Sequence, residues 1–152
     1  MRTFCCFAVA VFLILPLPGI AALSESPEAK ECFKKYNIPA QQDECLSKAR
    51  MDSETDLDAL ISDTVKRIKA NNMGWFNGKE NASVTSGDIY SRRFMKAQAL
   101  WKHYRQELCL AVATELDEEA YDYQSFIDQC EINLNRRHKE EINLLGLPRV
   151  VE

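Results

Sequence analysis

Four cysteines, Cys32, Cys45, Cys109 and Cys130, are placed so that each neighbouring pair straddles a break between two helical segments. The first break is Ile38-Pro39, because a residue that precedes proline is pushed out of the helical region. The second lies near Glu119-Ala120, and the midpoint of each cysteine pair falls on its break. In an antiparallel helical hairpin, residues equidistant from the turn face each other. The expected bridges are therefore Cys32 with Cys45 and Cys109 with Cys130, each contributing about 3 kcal/mol through loop closure. Separations of 13 and 21 residues disfavour a four-thiolate zinc site, whose ligands usually come as closely spaced pairs.

The rest of the chain supports four helices. Ser26-Pro27-Glu28 reads as a helix start, with a capping hydroxyl, proline at the first helical position and an acid in the first turn. That helix should end near Asn37. A longer one runs from about Pro39 to Asn72, with Leu46, Ala49, Leu57, Leu60, Ile61, Val65 and Ile68 at helical spacing and a kink expected near Met51, after which Ser53 restarts it. Asn72 to Gly87 is rich in Gly, Asn and Ser and reads as a loop. Helices over about Asp88 to Leu116 and Tyr121 to Leu145 follow, the last stopped by Gly146 and Pro148. No alternating strand pattern or repeat competes, so the expected fold is all-α, a small antiparallel bundle of about four helices with two disulfides.

The first residues have the three-part pattern of a secretory signal: Arg2, an apolar run from Phe4 to Leu15, then Pro16 to Gly19 and small residues around Ala21-Ala22. The run is shorter than the roughly 20 residues a spanning helix needs. The expected division is a signal peptide over 1–22, which takes Cys5 and Cys6 with it, and one domain over 23–152, periplasmic or secreted, with no stable membrane insertion. The formal net charge is -4, and loss of Arg2 makes the mature chain one unit more acidic. That disfavours nucleic acid, whose binders cluster Lys and Arg, and it favours a basic protein partner.

On the third helix Gln98, Trp101, Arg105 and Cys109 form one stripe, a packing seam in which Arg105 needs a carboxylate or carbonyl partner. The fourth helix repeats the pattern with Phe126, Cys130, Leu134 and Arg137. The runs Glu44-Cys45-Leu46 and Ala97-Gln98-Ala99-Leu100-Trp101-Lys102-His103-Tyr104-Arg105-Gln106-Glu107-Leu108-Cys109, with Cys130 and Arg137 beyond them, resemble the LprI-like lysozyme inhibitor family of bacterial envelope proteins. The resemblance covers about Cys32 to Leu145. It implies an exported, helical, disulfide-bonded domain in which Gln98, Trp101, Tyr104, Arg105 and Arg137 are structural motif residues, and some such proteins inhibit lysozyme. Where the family tends to show Asn and Tyr on the second helix, this chain has Asp58 and Ile61. Lysozyme inhibition depends on whether those positions touch a target.

Signals for catalysis are weak, and the chain is read as a binding protein and not an enzyme, with no cofactor and no metal. His103 reads as a surface or packing residue, and His138 within Arg136-Arg137-His138-Lys139 as part of a cationic helix face. Asp117, Glu118 and Glu119 read as solvated turn acids. Ser86-Gly87-Asp88-Ile89-Tyr90 resembles the Ser-Gly-x-x-Tyr motif of a β-barrel class of lysozyme inhibitors, yet it reads more simply as a helix start with Ser86 or Gly87 at the cap. The candidate partner-binding residues are Trp75, Phe76, Ser86 and Tyr90, since aromatics flanked by glycines on a stapled scaffold suit a protein-binding loop. Asn81-Ala82-Ser83 is a formal glycosylation acceptor. The expected function is inhibition of a cell-wall lytic enzyme, possible lysozyme partners included, and the alternative is an envelope assembly or effector-neutralising protein without that effect.

Overall fold

The computed structural model describes residues 25–78 and 83–149. The expected signal peptide over 1–22, and Asn81 and Ala82 of the glycosylation acceptor, lie outside the described residues. Four helices make up the fold: α1 (Pro27–Lys35), α2 (Pro39–Asn71), α3 (Ser86–Ala113) and α4 (Tyr123–Asn143), with a single 3₁₀ turn at Phe76–Gly78 before α3.

Each helix starts and stops for a local reason. Ser26 Oγ accepts the Ala29 amide at 3.0 Å, which caps α1. Tyr36 leaves the helical region, and its amide returns to Cys32 O. The chain then turns at Ile38, and Pro39 opens α2. The expected kink at Met51 is absent: α2 runs unbroken for 33 residues. After Pro39 the helix contains neither proline nor glycine, and Ser53 is used otherwise, accepting Asn135 Nδ2 at 3.2 Å. At α3 the cap is Thr85, one residue before the expected Ser86 or Gly87. Thr85 and Asp88 form a reciprocal capping box.

Gly87 has a structural task. A Cβ there would meet Lys69 Cα and Asn72 O, each at 3.0 Å, so only glycine lets the start of α3 lie against the end of α2. Its amide donates to Asn72 O at 2.8 Å.

Both expected disulfides are present, Cys32–Cys45 and Cys109–Cys130, each with Cα atoms 5.7 Å apart. Cross-helix pairs fix the directions of the long helices. Arg105 and Lys102 of α3 reach Glu54 and Asp58 of α2, while Gln98 reaches His138 of α4, so α3 is antiparallel to both. Ser125–Asp43 and Lys139–Asp56 show that α2 and α4 run in parallel. Leu57, Ile61, Ile68, Phe94 and Ile142 form the largest apolar cluster, toward the loop end. Cys109, Ala113, Ile127 and Cys130 form a second, with Phe126 and Leu134 against it. Ala29, Leu46 and Ile132 join α1 to α2 and α4. No described helix is long and apolar enough to cross a membrane.

Candidate functional site

The stripe on α3 is the seam its spacing predicts, and the structure supplies its partners. Arg105 is buried and hydrogen-bonds Glu54, while its Nη1 donates to Asn135 Oδ1 at 2.6 Å. Its Nε lies 3.8 Å from Glu131 Oε1, and its guanidinium carbon sits 5.6 Å from the Trp101 ring centroid. Arg50 extends the network. Its Nε is 3.2 Å from Asp128 and its Nη1 3.5 Å from Glu131. Three helices thus share a chain of buried and half-buried charges that alternate in sign, the condition under which buried ions are tolerated.

The carboxylates record these surroundings. Burial alone raises a carboxyl pKa, but hydrogen bonds from Lys102 and Arg105 outweigh it at Glu54 and hold that group below the usual range. Asp128 goes the other way, because burial is not fully offset by Gln124 and Arg50. Glu28, desolvated in part yet bonded to Arg136, is lowered.

Expectations for three residues on these helices need correction. Arg137 is exposed and not part of the seam on α4. Phe126, Cys130 and Leu134 do pack against α3, but the row continues inward through Asp128, Glu131, Asn135 and His138 rather than through Arg137. His138 is not on a cationic surface: it is buried, stacked on Trp101 with ring centroids 3.8 Å apart and planes 7° apart. Its Nε2 lies 2.7 Å from Gln98 Oε1, and Nδ1 lies 2.8 Å from Glu141 Oε2. Tyr104 is 57% exposed and belongs to the outer face of α3. The sequence held a signal for His138, since it lies a helical seven residues beyond Glu131 and three beyond Asn135, but those polar neighbours hid the buried face.

Of the two departures from the family pattern, Ile61 is core and Asp58 is a surface partner of Lys102. His103 is exposed beside Glu107 at 3.9 Å. Among the described residues no group of three or more His, Cys, Asp or Glu is placed to hold a metal ion.

The loop candidates separate. Trp75 is 46% exposed, whereas Phe76 is half-buried and Tyr90 packs on the main apolar cluster. Ser86 is half-buried and its amide donates to Gly74 O at 2.8 Å. Trp75 pairs with Thr85 in a single antiparallel bridge, and Phe76 N donates to Val84 O at 3.1 Å. The tryptophan is thus presented by backbone pinned at both ends, while Tyr90 packs inward on the main cluster.

Both ends of the bundle carry exposed charge of both signs, with Glu140 and Glu141 of α4 at the loop end and Lys34 and Lys35 of α1 at the other, but two single-sign clusters stand out. At the loop end lie Lys66, Lys69, Arg92, Arg93 and Lys96, all exposed. At the opposite end the turn between α3 and α4 carries Glu115, Asp117, Glu118 and Glu119, also exposed, and Tyr121 at 79% exposure. No family model matches this chain, and neither a curated protein nor a solved structure matches it.

Proposed function

We propose that this protein is an exported binding protein that inhibits a cell-wall lytic enzyme, lysozyme being the first candidate, and that it performs no catalysis itself. Two disulfides and a helical body without a membrane-crossing helix among the described residues agree with an extracytoplasmic location. The observation that carries the reading is Trp75, a large amphipathic side chain left exposed on a pinned turn, the kind of residue that anchors protein interfaces. The resemblance of the Gln98 to Cys109 run to the LprI-like family names the class of partner. Against an enzyme, His138 is stacked on Trp101 with both ring nitrogens taken by Gln98 and Glu141, and His103 lies exposed beside Glu107.

The test is lysis of wall substrate by animal-type lysozyme in the presence of the purified mature protein. Inhibition is expected, stronger at low ionic strength because the chain is acidic and the enzyme basic. Trp75→Ala should abolish it with helical circular dichroism unchanged, while Tyr90→Ala should lower stability as well. If the folded protein in micromolar excess leaves lysis untouched, the inhibitor reading fails and an envelope assembly or effector-neutralising role replaces it.

A further inference from the structure

A shallow, open groove of about 450 Å³ lies between the end of α2 and the start of α3. Val65, Val84 and Met95 give it apolar walls, and Lys69 and Arg92 stand on its rim with Asp88. Asp88 is occupied by its own capping box and lies 4.0 Å from Lys69, so the rim keeps a positive surplus from Arg92 and the neighbouring Arg93 and Lys96. Arg93 and Lys96 have no ion-pair partner among the described residues.

The chemistry that fits is an acidic chain segment with an apolar side chain to seat on Val65 and Met95. A flat anionic membrane would meet the same cations, so vesicle binding is one arm of the test. A segment of that chemistry exists in this molecule: Glu115-Leu116-Asp117-Glu118-Glu119-Ala120-Tyr121-Asp122. Glu115, Glu118 and Glu119 have no cation partner among the described residues, and Tyr121 is the more exposed of the two pole aromatics. It cannot reach the groove of its own chain. Met95 and Ala113 lie on one straight helix, about 27 Å apart at ~1.5 Å per residue.

We infer that the 115–122 turn of one copy docks in the Val65–Met95 groove of a second, so that the chain associates head to tail. Such a contact is heterologous: each copy keeps a free groove and a free turn, and assembly continues unless it closes into a ring. The inference does not rest on the inhibitor reading, since it needs no foreign partner.

Sedimentation of the mature protein tests it with two double variants on exposed positions, Arg92→Gln with Arg93→Gln, and Glu118→Gln with Glu119→Gln. Helical circular dichroism first establishes that both are folded. The unmodified protein should self-associate with rising concentration at about 0.01 M salt and dissociate at about 1 M, where the screening length falls from about 30 Å to about 3 Å. The Arg92/Arg93 variant keeps only its turn and the Glu118/Glu119 variant only its groove. Each alone should be monomeric, and an equimolar mixture should form dimers and nothing larger. An unmodified protein that stays monomeric in dilute buffer up to about 1 mM, the weak limit of specific association, overturns the inference. So does association that survives in either variant. Co-sedimentation of a monomeric protein with vesicles containing phosphatidylglycerol, lost in the Arg92/Arg93 variant, assigns the groove end to membranes instead.

Discussion

The two ends of the bundle are held by different physics. Toward the loop, Leu57, Ile61, Ile68, Phe94 and Ile142 make an ordinary hydrocarbon core. Toward the opposite end, Arg50, Glu54, Arg105, Asp128, Glu131 and Asn135 occupy the space between three helices, with two disulfides and two smaller apolar clusters, around Ile127 and around Leu46, beside them. Apolar packing tolerates sliding, because one aliphatic contact resembles the next. A buried ion network does not, since each charge needs its own partner at its own height. The comparison suggests that the polar end sets the register of α2, α3 and α4, and that the apolar end, with little to specify, is left to carry the loop.

The largest effect should come from cutting the network. Arg105→Ala leaves Glu54, Glu131 and Asn135 short of a partner in a buried site and should cost about 3–5 kcal/mol. Chemical denaturation measures it. Glu54→Ala added to that variant should cost much less than it does alone, because the two act as one unit. If the two losses simply add, the network does not behave as one unit, and the contrast between the ends weakens.

Trp101 stands at the boundary, stacked on His138 and packed against the apolar cluster. Trp101→Ala should destabilise by about 3 kcal/mol, the low end for such truncations because the ring is only half-buried. A variant with an unchanged melting temperature would show the ring to be a contact surface and not a joint between the two ends.

At the loop end, Gly87→Ala drives a methyl against Lys69 Cα and Asn72 O. Both are backbone atoms, so α3 has to move off α2, at a cost of about 1–3 kcal/mol. The loss should be read by thermal melting, and fluorescence of Trp75 should shift with it.

The mildest perturbation is pH. The folded-state pKa of Glu54 lies below its ordinary 4.5, as does that of Glu28. Both therefore contribute stability that is present above about that pH and is lost as pH falls through the folded value. Asp128 opposes them. Its pKa is raised from 3.8, so its contribution is present below that value and lost as pH rises through the folded one. The melting temperature should fall below about pH 4.5, and Glu54→Gln should flatten that slope. A slope unchanged in Glu54→Gln would move the acid sensitivity to Glu28 or elsewhere.

Much of this architecture is legible in the order of residues. Pro39, the Ser26 cap, Gly146 and the spacing of Leu57, Ile61 and Ile68 define helices because capping, proline and periodicity act within a few residues. The disulfide pairing is legible too, since in a hairpin equal distance from the turn implies contact. The unbroken path of α2 through Met51 was not, because a serine after a methionine looks like a restart until Asn135 claims its hydroxyl. Which basic residues are buried was decided only in three dimensions. Arg105 and Arg137 have similar local settings, and one goes inside because Glu54, Glu131 and Asn135 arrive from other helices. His138 is buried for the same reason, with Gln98 and Trp101 brought to it from α3. Tyr90 and Trp75 are both aromatics of one loop region. The start of α3 turns Tyr90 onto the core while the bridge to Thr85 holds Trp75 out, and that choice depends on how α2 and α3 meet at Gly87. Local rules fix the helices. Which of their faces are covered, and hence where charge and aromatic surface remain for a partner, follows from packing between residues far apart in the chain.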